Sequence, residues 1–65
     1  MWMVVGMAGS VKKADQMQKA LEEEGILVKL RNMTAKAKTN GDTIEVLVLQ
    51  SEADAAREIL VENGL

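Results

Sequence analysis

The chain has 65 residues, a formal net charge of −2 at pH 7, and neither Cys nor His. A chain of this length forms one domain, residues 1–65, and buries only about 60% of the surface that its unfolded form exposes. Without Cys or His it has no disulfide and no Cys/His zinc site to stabilise it. The slightly acidic charge also argues against nucleic-acid and anionic-membrane partners.

Targeting and membrane segments are not predicted. The apolar start at residues 2–7 lacks the basic flank and the length of a signal peptide. No apolar run approaches the roughly 20 residues that a membrane span requires. Since the absence of Cys fits a reducing compartment, we expect a cytoplasmic protein that carries no cofactor and no metal.

The first half of the chain predicts a strand, a helix and a second strand. Strand one covers residues 2–7, and both of its faces are apolar, so alternation does not show which face meets the core. The helix covers residues 11–24, with Ser10 as N-cap and Gly25 as the left-handed residue after its C-terminus. Its apolar stripe consists of Val11, Ala14, Met17 and Leu21. Strand two covers residues 26–31 and has one apolar face, formed by Ile26, Val28 and Leu30.

The second half predicts a polar loop, a strand and a helix. The loop covers residues 32–43 and contains an Asn-Gly-Asp turn signal. Strand three is Ile44–Leu49, and Ser51 is the expected N-cap of the second helix. At the far end of that helix, Gly64 is expected to form a Schellman motif that folds Leu65 back onto Leu60.

A faint internal repeat indicates the fold. The segment ALEEEGIL after the first helix resembles EILVENGL after the second, and the second copy stops where a further strand would begin. This pattern predicts an α+β domain of βαββα order, a truncated ferredoxin-like fold lacking its last strand. The right-handed crossover then gives a three-stranded antiparallel sheet of order 1-3-2 with two helices on one face.

Such a sheet leaves apolar surface uncovered. The face away from the helices is expected to carry Leu27, Leu47 and Leu49, with either Trp2 and Val4 or Met3, Val5 and Met7 from strand one. We take Trp2, Val4, Leu27, Leu47 and Leu49 as candidates for an oligomer interface. Strand one is also an uncharged edge, which invites pairing with another chain. A homo-oligomer, with a dimer favoured, is therefore predicted, and a weakly stable monomer is the alternative.

A family resemblance follows from the segment KALEEEGILVKLRN, a Gly-containing loop, and IEVLVLQSEADAAREIL. These residues resemble the small prokaryotic signal-transducing proteins with the pattern A-x-x-L-x-x-x-G-I-x-x-x-L-R-N, grouped with the PII-like superfamily of ferredoxin-like folds. The resemblance implies a regulatory or adaptor role in signal transduction. It also implies that the loop between strands two and three contacts effectors or partner proteins.

Few residues suggest a binding site, and none suggests catalysis. Arg31, Lys36 and Lys38 form the only basic cluster, and they either hold a small anionic effector or an acidic partner protein, or simply keep the loop solvated. Trp2 is either an interface anchor or a core residue. An enzyme is not expected, because without His or Cys the general base would be a carboxylate or lysine in a deep pocket. We expect a regulatory or adaptor protein, with a structural assembly unit as the alternative.

Overall fold

The computed structural model describes residues 1–32 and 43–65. The predicted βαββα order is confirmed. The elements are β1 Trp2–Ala8, α1 Val11–Glu23, β2 Val28–Asn32, β3 Ile44–Leu49, a 3₁₀ turn Gln50–Glu52, and α2 Ala53–Glu62. Of the predicted loop only its two ends, Asn32 and Thr43, lie within the described residues.

The sheet has three antiparallel strands in the predicted order, β1-β3-β2. The central strand β3 turns Val46 and Val48 towards the helices, and neither side chain is accessible to solvent. Both helices pack on that face and supply Ala14, Met17, Leu21, Ala53, Ala56 and Leu60 to the core. The predicted fold class, with two helices on one face of the sheet, is therefore confirmed.

A β-bulge in β1 decides which side chains of that strand meet the core. Met3 pairs with Val48 on the helix side, whereas Val4 pairs with Leu47 on the other face. The register then shifts between Val4 and Gly6. Because one extra residue reverses the alternation of a strand, Met7 lies on the face of Val4, and the predicted grouping of Met7 with Met3 is wrong.

The first helix begins and ends as predicted. The backbone N–H of Lys13 donates to the Ser10 hydroxyl oxygen over 3.1 Å, and Gly25 has a φ of +83°. The prediction that Val11 belongs to the buried stripe of α1 is wrong, since Val11 is 64% exposed. At about 100° per residue, Val11 lies roughly 90° from the centre of the buried stripe formed by Ala14, Met17 and Leu21.

The internal repeat arises because α1 and α2 end with the same hydrogen-bond pattern. After α1, the N–H of Ile26 donates to Leu21 O over 3.1 Å and that of Gly25 to Glu22 O over 2.9 Å. After α2, Leu65 donates to Leu60 O over 2.9 Å and Gly64 to Val61 O over 3.1 Å. Both are Schellman motifs, and Leu65 packs against the core as predicted.

The start of α2 differs from the prediction. Its N-cap is Glu52, without a side-chain cap bond, and Ser51 lies inside the preceding 3₁₀ turn. The chain enters helical geometry directly after β3, where the N–H of Gln50 donates to Met1 O over 2.8 Å. Because a capping hydroxyl requires an extended residue before the helix, Ser51 does not cap α2.

Candidate functional site

The face of the sheet opposite the helices, here called the open face, consists of three rows of side chains that cross the strands. The register places Trp2 beside Leu49, and Leu27 comes next to Leu49 because Val28 pairs with Val48. The second row contains Val4, Leu47 and Lys29, and the third contains Met7, Glu45 and Arg31. The open face therefore brings together all five predicted interface residues and adds Met7, which the bulge turns onto it.

The open face is apolar, but it is less exposed than the sequence predicts. Leu47 is only 6% exposed although no helix covers it, and Val4 and Leu49 are half-buried. The exposed apolar surface lies instead at the corners of the face, where Trp2 is 37%, Met7 58% and Leu27 62% accessible. The candidate interface is thus a band around a shielded centre.

Lys29 accounts for part of this shielding. Its Nζ atom lies 5.4 Å from the centroid of the Trp2 ring, a distance typical of a cation–π contact. Lys29 is on β2 and Trp2 is on β1, so the two side chains meet above the central strand. A lysine stem covers apolar surface while its charged end remains in solvent, and together with the Trp2 ring it is placed to cover Leu47.

Arg31, predicted as an anchor for an anion, has an anionic partner within the chain. Its Nε donates to Glu45 Oε1 over 2.7 Å, and its Nη2 approaches the same oxygen. The two residues are cross-strand neighbours in the register of β2 and β3. Glu45 therefore occupies one end of the guanidinium and makes Arg31 a cross-strand link, and the anion-binding role of Arg31 stays a prediction. Lys36 and Lys38 lie outside the described residues.

The described residues contain no cluster of three or more carboxylates, His or Cys that could hold a metal ion. A cleft of about 550 Å³ is lined by Met1, Leu49, Gln50 and Ser51, none of which has an ionisable side chain. In residues 1–32 and 43–65 no helix has both the length and the apolar character needed to cross a bilayer.

Two features of the site were missed from sequence. The first is the position of Met7, for which Gly6 was the available signal, because an isolated glycine in a strand indicates a bulge or a close approach. A Cβ at Gly6 would lie 2.6 Å from Cε of Met17, so the glycine does allow a close approach. The second is a groove beside β1 that includes Arg57 and Val61, which only the packing of α2 on the sheet creates.

Comparison of the chain with models of protein families, with curated proteins and with solved structures found no match in any of the three. The resemblance to the small prokaryotic signal-transducing proteins therefore stays a prediction from sequence. Function has to be argued from the geometry of the open face and of its edges.

Proposed function

We propose that this chain is a small cytoplasmic adaptor protein that forms a homodimer through its open face and binds a partner protein elsewhere. The observation that carries the proposal is a continuous apolar strip on a sheet face that neither helix covers. The strip consists of Leu27, Leu49, Trp2, Val4 and Met7. Its exposed members include Trp, which is enriched at the energetic centres of interfaces.

The size of the face sets the expected strength of the dimer. Three strands spaced about 4.8 Å apart and six residues long at about 3.3 Å each cover roughly 300 Å² in projection. This projected area is well below the roughly 800 Å² that each partner buries in a standard interface. We therefore expect a weak, reversible dimer with a dissociation constant in the micromolar range.

The apolar strip suits a symmetric contact. A twofold axis places the same strip of both copies against itself, and its five residues are uncharged. The Lys29 ammonium beside Trp2 lies next to the strip, and it has to turn towards the rim when two copies meet. The ion pair of Arg31 with Glu45 occupies the opposite corner, where it is suited to the polar rim of an interface. The same ion pair makes a small anionic effector at Arg31 the weaker hypothesis.

The test is sedimentation of the wild type and of Leu27→Asp over a range of concentrations. Leu27 is 62% exposed in the single chain, so most of its side chain is available for burial in a dimer. Burying that part is worth about 1–2 kcal/mol in each copy, and a symmetric interface contains it twice. We expect the dissociation constant to rise at least about 30-fold.

Val11→Asp is the matched control. Val11 is 64% exposed, and the substitution changes the charge by the same amount, but Val11 lies on α1 away from the open face. An aspartate in the first turn of a helix is also electrostatically favourable, so this variant should fold and dimerise normally. A wild type that remains monomeric at high micromolar concentration, or equal weakening by both variants, would contradict the proposal.

A further inference from the structure

A groove of about 310 Å³ runs along the outer edge of β1 beside α2, and Met7 is the one residue it shares with the open face. We call it the edge groove. Its floor is formed by β1 at Val5, Gly6 and Met7, and its upper wall by Arg57, Val61 and Leu65. The helix therefore overhangs the edge of the sheet and leaves apolar side chains beside an edge strand.

The outer edge of β1 has the properties of a strand-binding site. In the three-stranded sheet of the described residues β1 is an edge strand, so part of its main chain faces outwards. Its sequence, WMVVGMA, contains no charged residue and no proline, the residues that commonly protect such edges. The bulge between Val4 and Gly6 limits pairing to a short segment on one side of it. These features suit the addition of one short strand.

A second copy of this chain fits the edge groove less well than an isolated strand. Antiparallel pairing of β1 with β1 of another copy would place the two strands about 4.8 Å apart, with both α2 helices on the same side of the sheet. Packed helices need about 8–10 Å between their axes, and α2 packs on β1 with Arg57 and Val61 at this edge. A strand that brings no helix with it avoids this crowding, and we take such a strand as the occupant.

The charge of the edge groove indicates one further property of the occupant. Among the described residues that line it, Arg57 alone has a charged side chain, and about half of that side chain is exposed. It contacts Asp54 at 3.3 Å, but Asp54 is fully solvated, so this pair is weak and can exchange partners. A guanidinium beside an apolar strand edge favours an incoming carboxylate, which it can bind through two N–H groups.

We infer that the edge groove binds an extended, apolar segment of a partner protein that pairs with β1 and places a carboxylate against Arg57. Apolar side chains of this segment would fill the space under Val61 and Leu65, while its backbone extends the sheet by one strand. The inference rests on the proposed adaptor function, because it specifies the partner of the adaptor. It does not depend on the dimer, which uses the open face.

The test is a titration of the protein with short designed peptides in which Val and Thr alternate and one residue is Glu. Binding is monitored through the NMR signals of the β1 amides and of Arg57. We expect the Glu peptide to bind about fivefold more tightly than the same peptide with Lys in place of Glu. Arg57→Glu should reverse this preference, and Arg57→Gln should remove it. Lys12→Glu is the matched control, because it reverses a charge on an exposed part of α1 and should leave the preference unchanged.

A peptide methylated on alternate backbone nitrogens tests the strand pairing without changing the protein. We expect it not to bind, because it lacks the N–H groups that pair with β1. Equal binding of the methylated peptide, an unchanged preference in both Arg57 variants, or no binding of the Glu peptide to the wild type would overturn the inference. Sedimentation of the same samples distinguishes the two proposals. Peptide binding by a monomer would overturn the dimer alone, and a dimer that binds no peptide would overturn the edge groove alone.

Discussion

Replacement of Gly25 by Ala tests whether the helix endings that repeat in the sequence are held by left-handed glycines. Gly25 has a φ of +83°, and a Cβ built on it would meet no atom within 4 Å. Any cost of the substitution therefore comes from the backbone conformation and not from a clash. Gly9 provides the control, since it also has open space around it but no positive φ.

The expected magnitudes follow from two opposing effects. A residue with a Cβ in the left-handed region costs about 1–2 kcal/mol. Alanine in place of glycine also restricts the unfolded chain, which returns about 0.4–1 kcal/mol of stability. Gly25→Ala should therefore lower the free energy of unfolding by about 0.5–1.5 kcal/mol. Gly9→Ala should leave it unchanged or raise it by up to about 1 kcal/mol.

Differences of this size are measurable in so small a domain. A protein of this length has a total stability of about 3–10 kcal/mol, and 1 kcal/mol shifts its melting temperature by about 4–8 °C. The assay is urea and thermal unfolding by far-UV circular dichroism, at a concentration low enough to keep the chain monomeric. Gly25→Asn should fall between the wild type and Gly25→Ala, because Asn tolerates the left-handed region better than Ala.

Equal melting temperatures for Gly25→Ala and Gly9→Ala would refute this reasoning. That result would mean that the backbone after α1 changes conformation without a loss of free energy. The hydrogen bond from Ile26 N–H to Leu21 O would then not fix residue 25 in the left-handed region. Gly64→Ala extends the test, since Gly64 has a φ of +72° and an equally open surrounding. It positions Leu65, which lines the edge groove, so this variant should also weaken peptide binding, whereas Gly25→Ala should not.

Two further predictions concern the open face. Lys29→Ala should destabilise the chain more than Lys29→Met, because methionine keeps an apolar stem over Leu47. Lys29→Met loses only a cation–π contact worth about 0.5–1 kcal/mol. Equal midpoints of urea unfolding for the two variants would show that the lysine stem does not cover Leu47. The Glu45 side chain is only 14% exposed. Arg31→Met removes the arginine partner of the Glu45 carboxylate and should therefore lower the free energy of unfolding by about 1 kcal/mol. Glu45→Gln should cost less in the same urea unfolding experiment, and a larger loss for Glu45→Gln would contradict the role assigned to the pair.

The local features of this protein were predictable because they depend on residues close together in the sequence. Ser10 caps α1 through the N–H of a residue three positions away, and each Schellman motif closes within six residues. The order of strands followed as well, since the handedness of the crossover leaves one arrangement for these elements. The fold class and the candidate interface residues therefore follow from the sequence alone.

Other features could not be predicted because they depend on contacts between distant parts of the chain. Ser51 resembles an N-cap in sequence, yet the direct turn from β3 into helical geometry removes it from that position. Arg31 resembles an anion-binding residue, yet the register of β2 and β3 places Glu45 beside it. The backbone conformation that follows β3 decides the position of Ser51, and the strand register decides that Arg31 lies beside Glu45.

The sequence by itself determined that this chain forms a βαββα domain whose sheet has one face that no helix covers, because hydrophobic spacing and local capping are sufficient to predict these elements and their order. Only the tertiary structure decided how the uncovered surface is divided. The bulge in β1 turned Met7 onto the open face, Lys29 met Trp2 above the central strand, and Leu47 is buried there. The packing of α2 over β1 created the edge groove. These outcomes depend on strand register and helix position, and both are set by contacts between segments that are far apart in the chain.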